Sequence, residues 1–187
     1  MNIKELHQKI ISEHREVFER LDENSVREFI EELKKSPRIF LIGVGREGLA
    51  TRALAMRLMH MGKEVHWIWD DTTPAIDQGD LLIATLGDGQ IGHISYICQC
   101  AKAAGARLYV VTGSPSGRTA KELADKVLFL PASVYRGTDP VAPSSQPMGN
   151  LFEQCLLVLF DMIVMMIVDE TDGLTFEKMS ARHRNVE

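Results

Sequence analysis

Two short glycine-rich stretches hold the residues whose types and spacing could do chemistry. The first is Gly43-Val44-Gly45-Arg46-Glu47-Gly48, which follows an apolar run, Ile39 to Ile42. It leads into a segment with apolar residues at Leu49, Ala53, Met56, Leu58 and Met59, closed by Gly62. The second is Leu86-Gly87-Asp88-Gly89-Gln90-Ile91, at the end of another apolar run. A strand that feeds a glycine turn and then a helix points free backbone N–H groups at a space where an anion can sit. Each loop also carries a carboxylate, Glu47 in one and Asp88 in the other.

Read locally, the first loop fits G-x-G-x-x-G between a strand and a helix, the pattern of a dinucleotide site. Asp70, 22 residues past Gly48, stands where a ribose-binding acid is wanted. Two features weigh against that reading. Two long helical segments precede the strand, and the chain leaves no room for a sizeable substrate domain.

The elements that must position these loops follow from periodicity. Residues 3–23 keep near-helical apolar spacing at Ile3, Leu6, Ile10, Val17 and Leu21. A second helix, capped by Asn24 or Ser25 with Glu28 completing a capping box, runs to about Lys35 and stops before Pro37. Short apolar strands are expected at 39–42, 64–69, 81–86, 107–112 and 127–130, with helices between them at 45–61, 92–104 and 116–125. Residues 131–147 form a long loop with four prolines, a length that is often functional. A strongly apolar helix from about 148 to 168 and a last amphipathic helix from 175 to 183 complete the chain. Strands alternating with helices imply a three-layer α/β sandwich around a five-stranded parallel sheet. The organisation expected is a single domain over 1–187. It comprises N-terminal helices (1–36), the core (37–130), the loop and C-terminal helices (148–187).

Composition sets the remaining bounds. With 187 residues, 45% hydrophobic and 25% charged, the chain can bury a core as an ordinary globular protein. A net charge of −5 and the lack of a basic, aromatic-interleaved segment argue against a nucleic-acid partner. Cys98, Cys100 and Cys155 lack metal-ligand spacing and read as reduced thiols of a cytoplasmic protein. The first ten residues carry charges where a signal peptide needs an apolar core. Leu151 to Val168 approaches membrane-spanning length but includes Glu153, Gln154 and Asp161. A helix buried in the core or a subunit interface is the expectation, without a membrane.

Several separate segments, in order, resemble the 6-phospho-3-hexuloisomerases of the sugar isomerase (SIS) domain family. They are RIFLIGVGREG with AMRLMHMG at 55–62, TTPAI at 72–76, GDLLIA at 79–84, PMGNLFE at 147–153 and MSARHRNVE at 179–187. The resemblance implies a flavodoxin-like SIS fold. It also implies an aldose–ketose or ketose–ketose isomerisation through an enediol, which converts 3-hexulose 6-phosphate to fructose 6-phosphate. No metal or organic cofactor is implied, and a homo-oligomer, commonly a tetramer, is. Glu153 matches the family's catalytic base, and burial near the start of an apolar helix would raise its pKa. His183, in the C-terminal Arg-His segment, would act as an acid or assist ring opening, by reaching a neighbouring subunit's site. His60 lies in the matched helix and would face the pocket. As competing readings, Glu153 is a helix N-terminal acid, His183 the polar end of a surface helix and His60 a satisfied helix histidine.

The same comparison exposes a departure. The family has Gly-Arg-Ser-Gly where this chain has Gly45-Arg46-Glu47-Gly48. It has Ser-Gly-Ser-Gly-Glu-Thr where this chain has Leu86 to Ile91. Hydroxyls that would donate to a phosphate are missing at 47, 86, 88 and 91, and two carboxylates repel a dianion. Backbone N–H groups at 87–91, with Arg46 and Ser114 or Ser116, are left to hold it. A neutral polyol, an amino-sugar or a cation bridging the two acids would suit Glu47 and Asp88 as well. The expectation is a divergent phosphosugar isomerase, with a non-catalytic sugar-binding or sensing module as the alternative and a dinucleotide-binding protein a distant third.

Overall fold

The computed structural model describes residues 2–186. Met1 and Glu187, the first residue of the N-terminal stretch and the last of the matched C-terminal ending, lie outside the described residues. α1 (Ile3–Glu19) starts at Asn2, whose side chain accepts the Glu5 N–H while the Glu5 carboxylate accepts the Asn2 N–H. α2 (Glu23–Lys35) is capped by Asp22, which accepts the N–H groups of Asn24 and Ser25. The cap is thus earlier than the expected Asn24 or Ser25, because a carboxylate there also meets the positive end of the helix dipole.

The core then alternates: β1 (Arg38–Ile42), α3 (Gly45–His60), β2 (Glu64–Trp67), β3 (Leu81–Thr85), α4 (Gly92–Ala103), β4 (Arg107–Thr112), α5 (Arg118–Glu122) and β5 (Lys126–Phe129). α6 (Asn150–Glu170) and α7 (Phe176–Ala181) end the chain. The five strands pair in parallel in the order β2-β1-β3-β4-β5. Strand order reverses where β1 meets β3, and in open α/β sheets the crevice beyond that point is where ligands bind. Both glycine loops lie there, at the carboxyl ends of β1 and β3.

Among the boundaries that differ from expectation, two have a visible cause. β2 stops at Trp67 because the Asp70 N–H and the Thr73 hydroxyl both turn back to the Trp67 carbonyl. α5 stops at Glu122 because Asp125 is drawn to the sheet edge, where its carboxylate accepts the Leu108 N–H at 2.7 Å.

Alternate strand residues face two cores. On one side Ile39, Leu41, Ile83 and Tyr109 pack with α2 and α6, where Phe29 meets the Tyr109 ring edge-on at 4.8 Å. On the other, Phe40, Ile42, Leu82 and Leu86 pack with Ile94 and Cys98 of α4. α6 is long and apolar enough to cross a membrane, yet half of its apolar window is buried within the fold, including Leu156, Phe160 and Ile163. Cys98, Cys100 and Cys155 are free thiols.

The 131–147 loop is pinned at its neck and near its end. Ala132 bridges Ala142, and the buried Glu13 of α1 accepts from the Ser144 hydroxyl, the Ser145 N–H and hydroxyl, and the Gln146 amide, all between 2.7 and 3.0 Å. Gln146 continues the chain of bonds to Gln154, and Gln154 to His14.

Candidate active site

The first loop is shaped by close packing. A Cβ on Gly43 would lie 2.2 Å from Thr85 Oγ1, and one on Gly48 2.7 Å from the Gly43 carbonyl. Gly45 takes φ +55°, a conformation few other residues adopt. The G-x-G-x-x-G spacing is therefore met by strand-to-helix contacts, and Asp70, the supposed ribose acid, lies 3.8 Å from Arg52 instead.

Arg46 and Glu47 leave this loop in different directions. Arg46 reaches the start of α6, where Nη1 donates to Asn150 Oδ1 and lies 2.9 Å from Glu153 Oε2. Glu47 turns inward to the second loop, and its Oε2 accepts the Gly87 N–H at 2.9 Å. Burial pushes the Glu47 carboxyl up to about 7; the charges of Asp88 and Glu153 add to the rise, and the Gly87 hydrogen bond opposes it. Near neutral pH Glu47 is therefore often protonated. A protonated carboxyl has a hydroxyl to donate, which restores a donor at a position where the serine hydroxyl was missed.

Glu153 lies one turn into α6, with its side chain 16% exposed. Its Oε2 is buried and, apart from the ion pair with Arg46, accepts no hydrogen bond. A buried carboxylate oxygen oriented by one cation and otherwise unbonded can take a proton from carbon.

The second loop is committed to itself. Gln90 N–H donates to Asp88 Oδ1 at 3.1 Å and Gly89 N–H to the Leu86 carbonyl at 3.0 Å. Leu86 and Gly87 are buried, and the Leu86 side chain belongs to the α4 core rather than to the crevice. Ile91 is the residue from which α4 starts. Ser114, at the end of β4, is 3% exposed, and its hydroxyl donates to Asp139 of the long loop.

The two histidines lie elsewhere. His60 is at the far end of α3 from Gly45, about 22 Å away at 1.5 Å per residue. Its ring lies 5.2 Å from that of His183, beside a cleft of about 520 Å³ that also includes Arg57, Asp161 and Phe176. Burial, then the charges of Arg57 and His183, hold His60 below its usual range. Within one protomer the structure thus brings together Gly45, Arg46, Glu47, Gly87, Asp88, Gly89, Gln90 and Glu153, with Ser114 adjoining, and separates His60 and His183 from them.

Asn150, Glu13, Arg136 and Asp139 were not anticipated. Asn150 had a signal, since it sits three residues before Glu153 in the matched PMGNLFE segment. Asp139 and Arg136 had none beyond the length of their loop.

The sheet order, the paired loops at its switch point and the carboxylate at the start of α6 define an SIS-type phosphosugar isomerase fold. No protein-family model matches the chain. It is 38% identical over 169 residues to the 3-hexulose-6-phosphate isomerase of Mycobacterium gastri, covering 90% of this chain and 83% of that one. It is 35% identical over 152 residues to the enzyme of that name from Bacillus subtilis, covering 81% of each. The chain belongs to the 3-hexulose-6-phosphate isomerase family. Its structure superposes with a TM-score of 0.84, at 27% identity and covering 98% of this chain and 99% of the other, on a Methanococcus jannaschii protein whose crystal structure was taken to infer that same molecular function. A putative sugar-phosphate isomerase of Listeria monocytogenes shares the fold at a TM-score of 0.72 and 21% identity, covering 98% of each chain.

Proposed function

We propose that this phosphosugar isomerase-like protein converts a 3-hexulose 6-phosphate to fructose 6-phosphate through an enediol. The observation that carries the reading is the buried Oε2 of Glu153, engaged only by its ion pair with Arg46, at the switch-point crevice. Glu153 takes the proton from the hydroxyl-bearing carbon next to the carbonyl, and the electron pair moves to form the enediol. The same group returns the proton to the former carbonyl carbon, and the hydroxyl protons exchange between the two oxygens. Arg46 and the protonated form of Glu47 are the groups placed to support the developing oxyanion.

His60 and His183 are too far from Glu153 to serve the same protomer's site. Any part they play in turnover is in a neighbouring copy's site, within a cytoplasmic homo-oligomer. Exposed Leu49, Met56 and Met59 of α3, with Leu157, Met162 and Met165 of α6, support such an assembly. The sugar phosphate is the partner proposed, with neither nucleic acid nor membrane.

A coupled assay from 3-hexulose 6-phosphate to fructose 6-phosphate tests the reading. Turnover that Glu153→Gln abolishes is the expected result; turnover that survives it removes Glu153 from the role. A second reading, sugar-phosphate binding without turnover, is favoured by the two carboxylates that occupy the second loop's N–H groups. Tight fructose 6-phosphate binding with no turnover by the wild type would select it.

A further inference from the structure

The second glycine loop has little left with which to hold a phosphate. Its Gly87, Gly89 and Gln90 N–H groups go to Glu47, to the Leu86 carbonyl and to Asp88. An incoming dianion would meet Asp88 there, with no side-chain hydroxyl and, of the N–H groups of 87–91, only those of Asp88 and Ile91 without a partner among the described residues. Next to it, where Gly117 of the β4 loop backs onto Gly89, lies a cleft of about 320 Å³. Asp88, Gln90, Ser114, Ser116, Arg136 and Thr138 line it.

Two features give this cleft anion-binding character. Arg136 is exposed, its guanidinium lies 5.2 Å over the Tyr135 ring, and it enters no ion pair among the described residues. The Ser114 and Ser116 hydroxyls both donate to one oxygen, Asp139 Oδ2, at 2.5 and 2.7 Å. Two hydroxyls converging on a single anionic oxygen is the contact a phosphate oxygen makes. The two hydroxyls of this cleft are thus already engaged by an anion, Asp139 of the chain's own loop, which adjoins the lining residues.

We propose that this cleft is the phosphate anchor, with Arg136 and the Ser114 and Ser116 hydroxyls as donors and Asp139 as an internal stand-in that the phosphate displaces. The ligand class is a sugar phosphate monoester, and the proposal rests on the isomerase reading for the sugar's identity. The anchor moves from the β3 loop, where hydroxyls are lacking and three N–H groups are already bonded, to the β4 loop and the long loop facing it. Asp88 also lines the cleft and opposes the anion, though its Oδ1 is engaged by the Gln90 N–H. Arg136 would be a specificity-determining residue that selects phosphorylated over free sugars.

Calorimetric titration of the full chain with fructose 6-phosphate, fructose and inorganic phosphate tests this, with melting temperatures checking that each variant folds. Arg136→Ala should weaken fructose 6-phosphate and phosphate binding on the order of tenfold or more, with no change for fructose. Arg136→Lys should recover part of the loss, because a point charge replaces the fork. Asp139→Asn should tighten fructose 6-phosphate binding, since the displaced charge is gone. Unchanged fructose 6-phosphate affinity in Arg136→Ala overturns the anchor, and weaker binding in Asp139→Asn overturns the stand-in. Binding that depends on Arg136 in a protein with no turnover leaves the anchor intact and removes the isomerase reading. Turnover with a KM insensitive to Arg136→Ala does the reverse.

Discussion

Glu47 reaches from the first turn of α3 to the Gly87 N–H, 2.9 Å away, and so ties the two glycine loops together with a side chain that is costly to ionise. Its folded pKa, near 7, is above the ordinary carboxylate value of 4.5. The folded state therefore holds this proton more tightly than the unfolded chain. The contribution is fully present below 4.5 and is lost as pH rises through 7, by on the order of 3 kcal/mol. Thermal melts from pH 5 to pH 8 should show the wild type losing stability, and Glu47→Gln should flatten that slope and melt higher at pH 8. A slope that Glu47→Gln leaves intact would place the titration elsewhere.

Glu13 predicts the opposite limb. Burial pushes its carboxyl up, but the Ser145 N–H and the Gln146, Ser144 and Ser145 side chains outweigh this and hold it at about 2. Its contribution is present above 4.5 and fades as pH falls toward 2. Glu13→Ala leaves several donors of the long loop unpaired and should cost ~2 kcal/mol at neutral pH. Hydrogen exchange should then accelerate at 144–146 before it does in the sheet, and uniform acceleration would mean that the clamp is not local.

Glu153→Gln should lower kcat by about a hundredfold or more while leaving fructose 6-phosphate binding within a few-fold of wild type. Single-turnover kinetics and titration on the same preparation separate the two. Parallel loss of binding would mark Glu153 as a ligand for the sugar rather than the proton carrier.

Met165 is 63% exposed on α6, in line with the exposed Met162. Placing charges there, as Met162→Lys with Met165→Glu, should shift light-scattering mass toward the monomer with little change in the melting of isolated protomers. A mass that stays constant at every concentration and in both proteins would exclude this face as the interface.

The sheet was readable because its strands are apolar runs closed by glycine, proline or aspartate. β4 was expected and found at the same residues, 107–112. One misplaced boundary was decided by a distant partner: Asp125 leaves the α5 register for Leu108 of β4, which no local pattern reveals. The site divides in the same way. Arg46 and Glu47 were legible in the first glycine loop, and Glu153 joined them only through the resemblance of PMGNLFE to the family's segment. The meeting of Asp139 with Ser114 and of Glu13 with Ser144–Gln146 depends on how an irregular 17-residue loop folds back, and spacing carries no signal for that. His60 lies in the helix expected for it, at the end that runs away from the crevice of its own protomer.

The bridge between Ala132 and Ala142 has a consequence for how this family can diversify. It closes the long loop at its neck, so the tip that bears Tyr135, Arg136 and Asp139 is a small ring resting on the end of β4 through Asp139. Lengthening a closed ring is inexpensive, at roughly 0.6 kcal/mol per doubling of its length. Insertions or exchanges at this tip would therefore leave the scaffold standing while changing which part of a substrate it touches. The neck thus separates the length of this ring from the stability of the sheet.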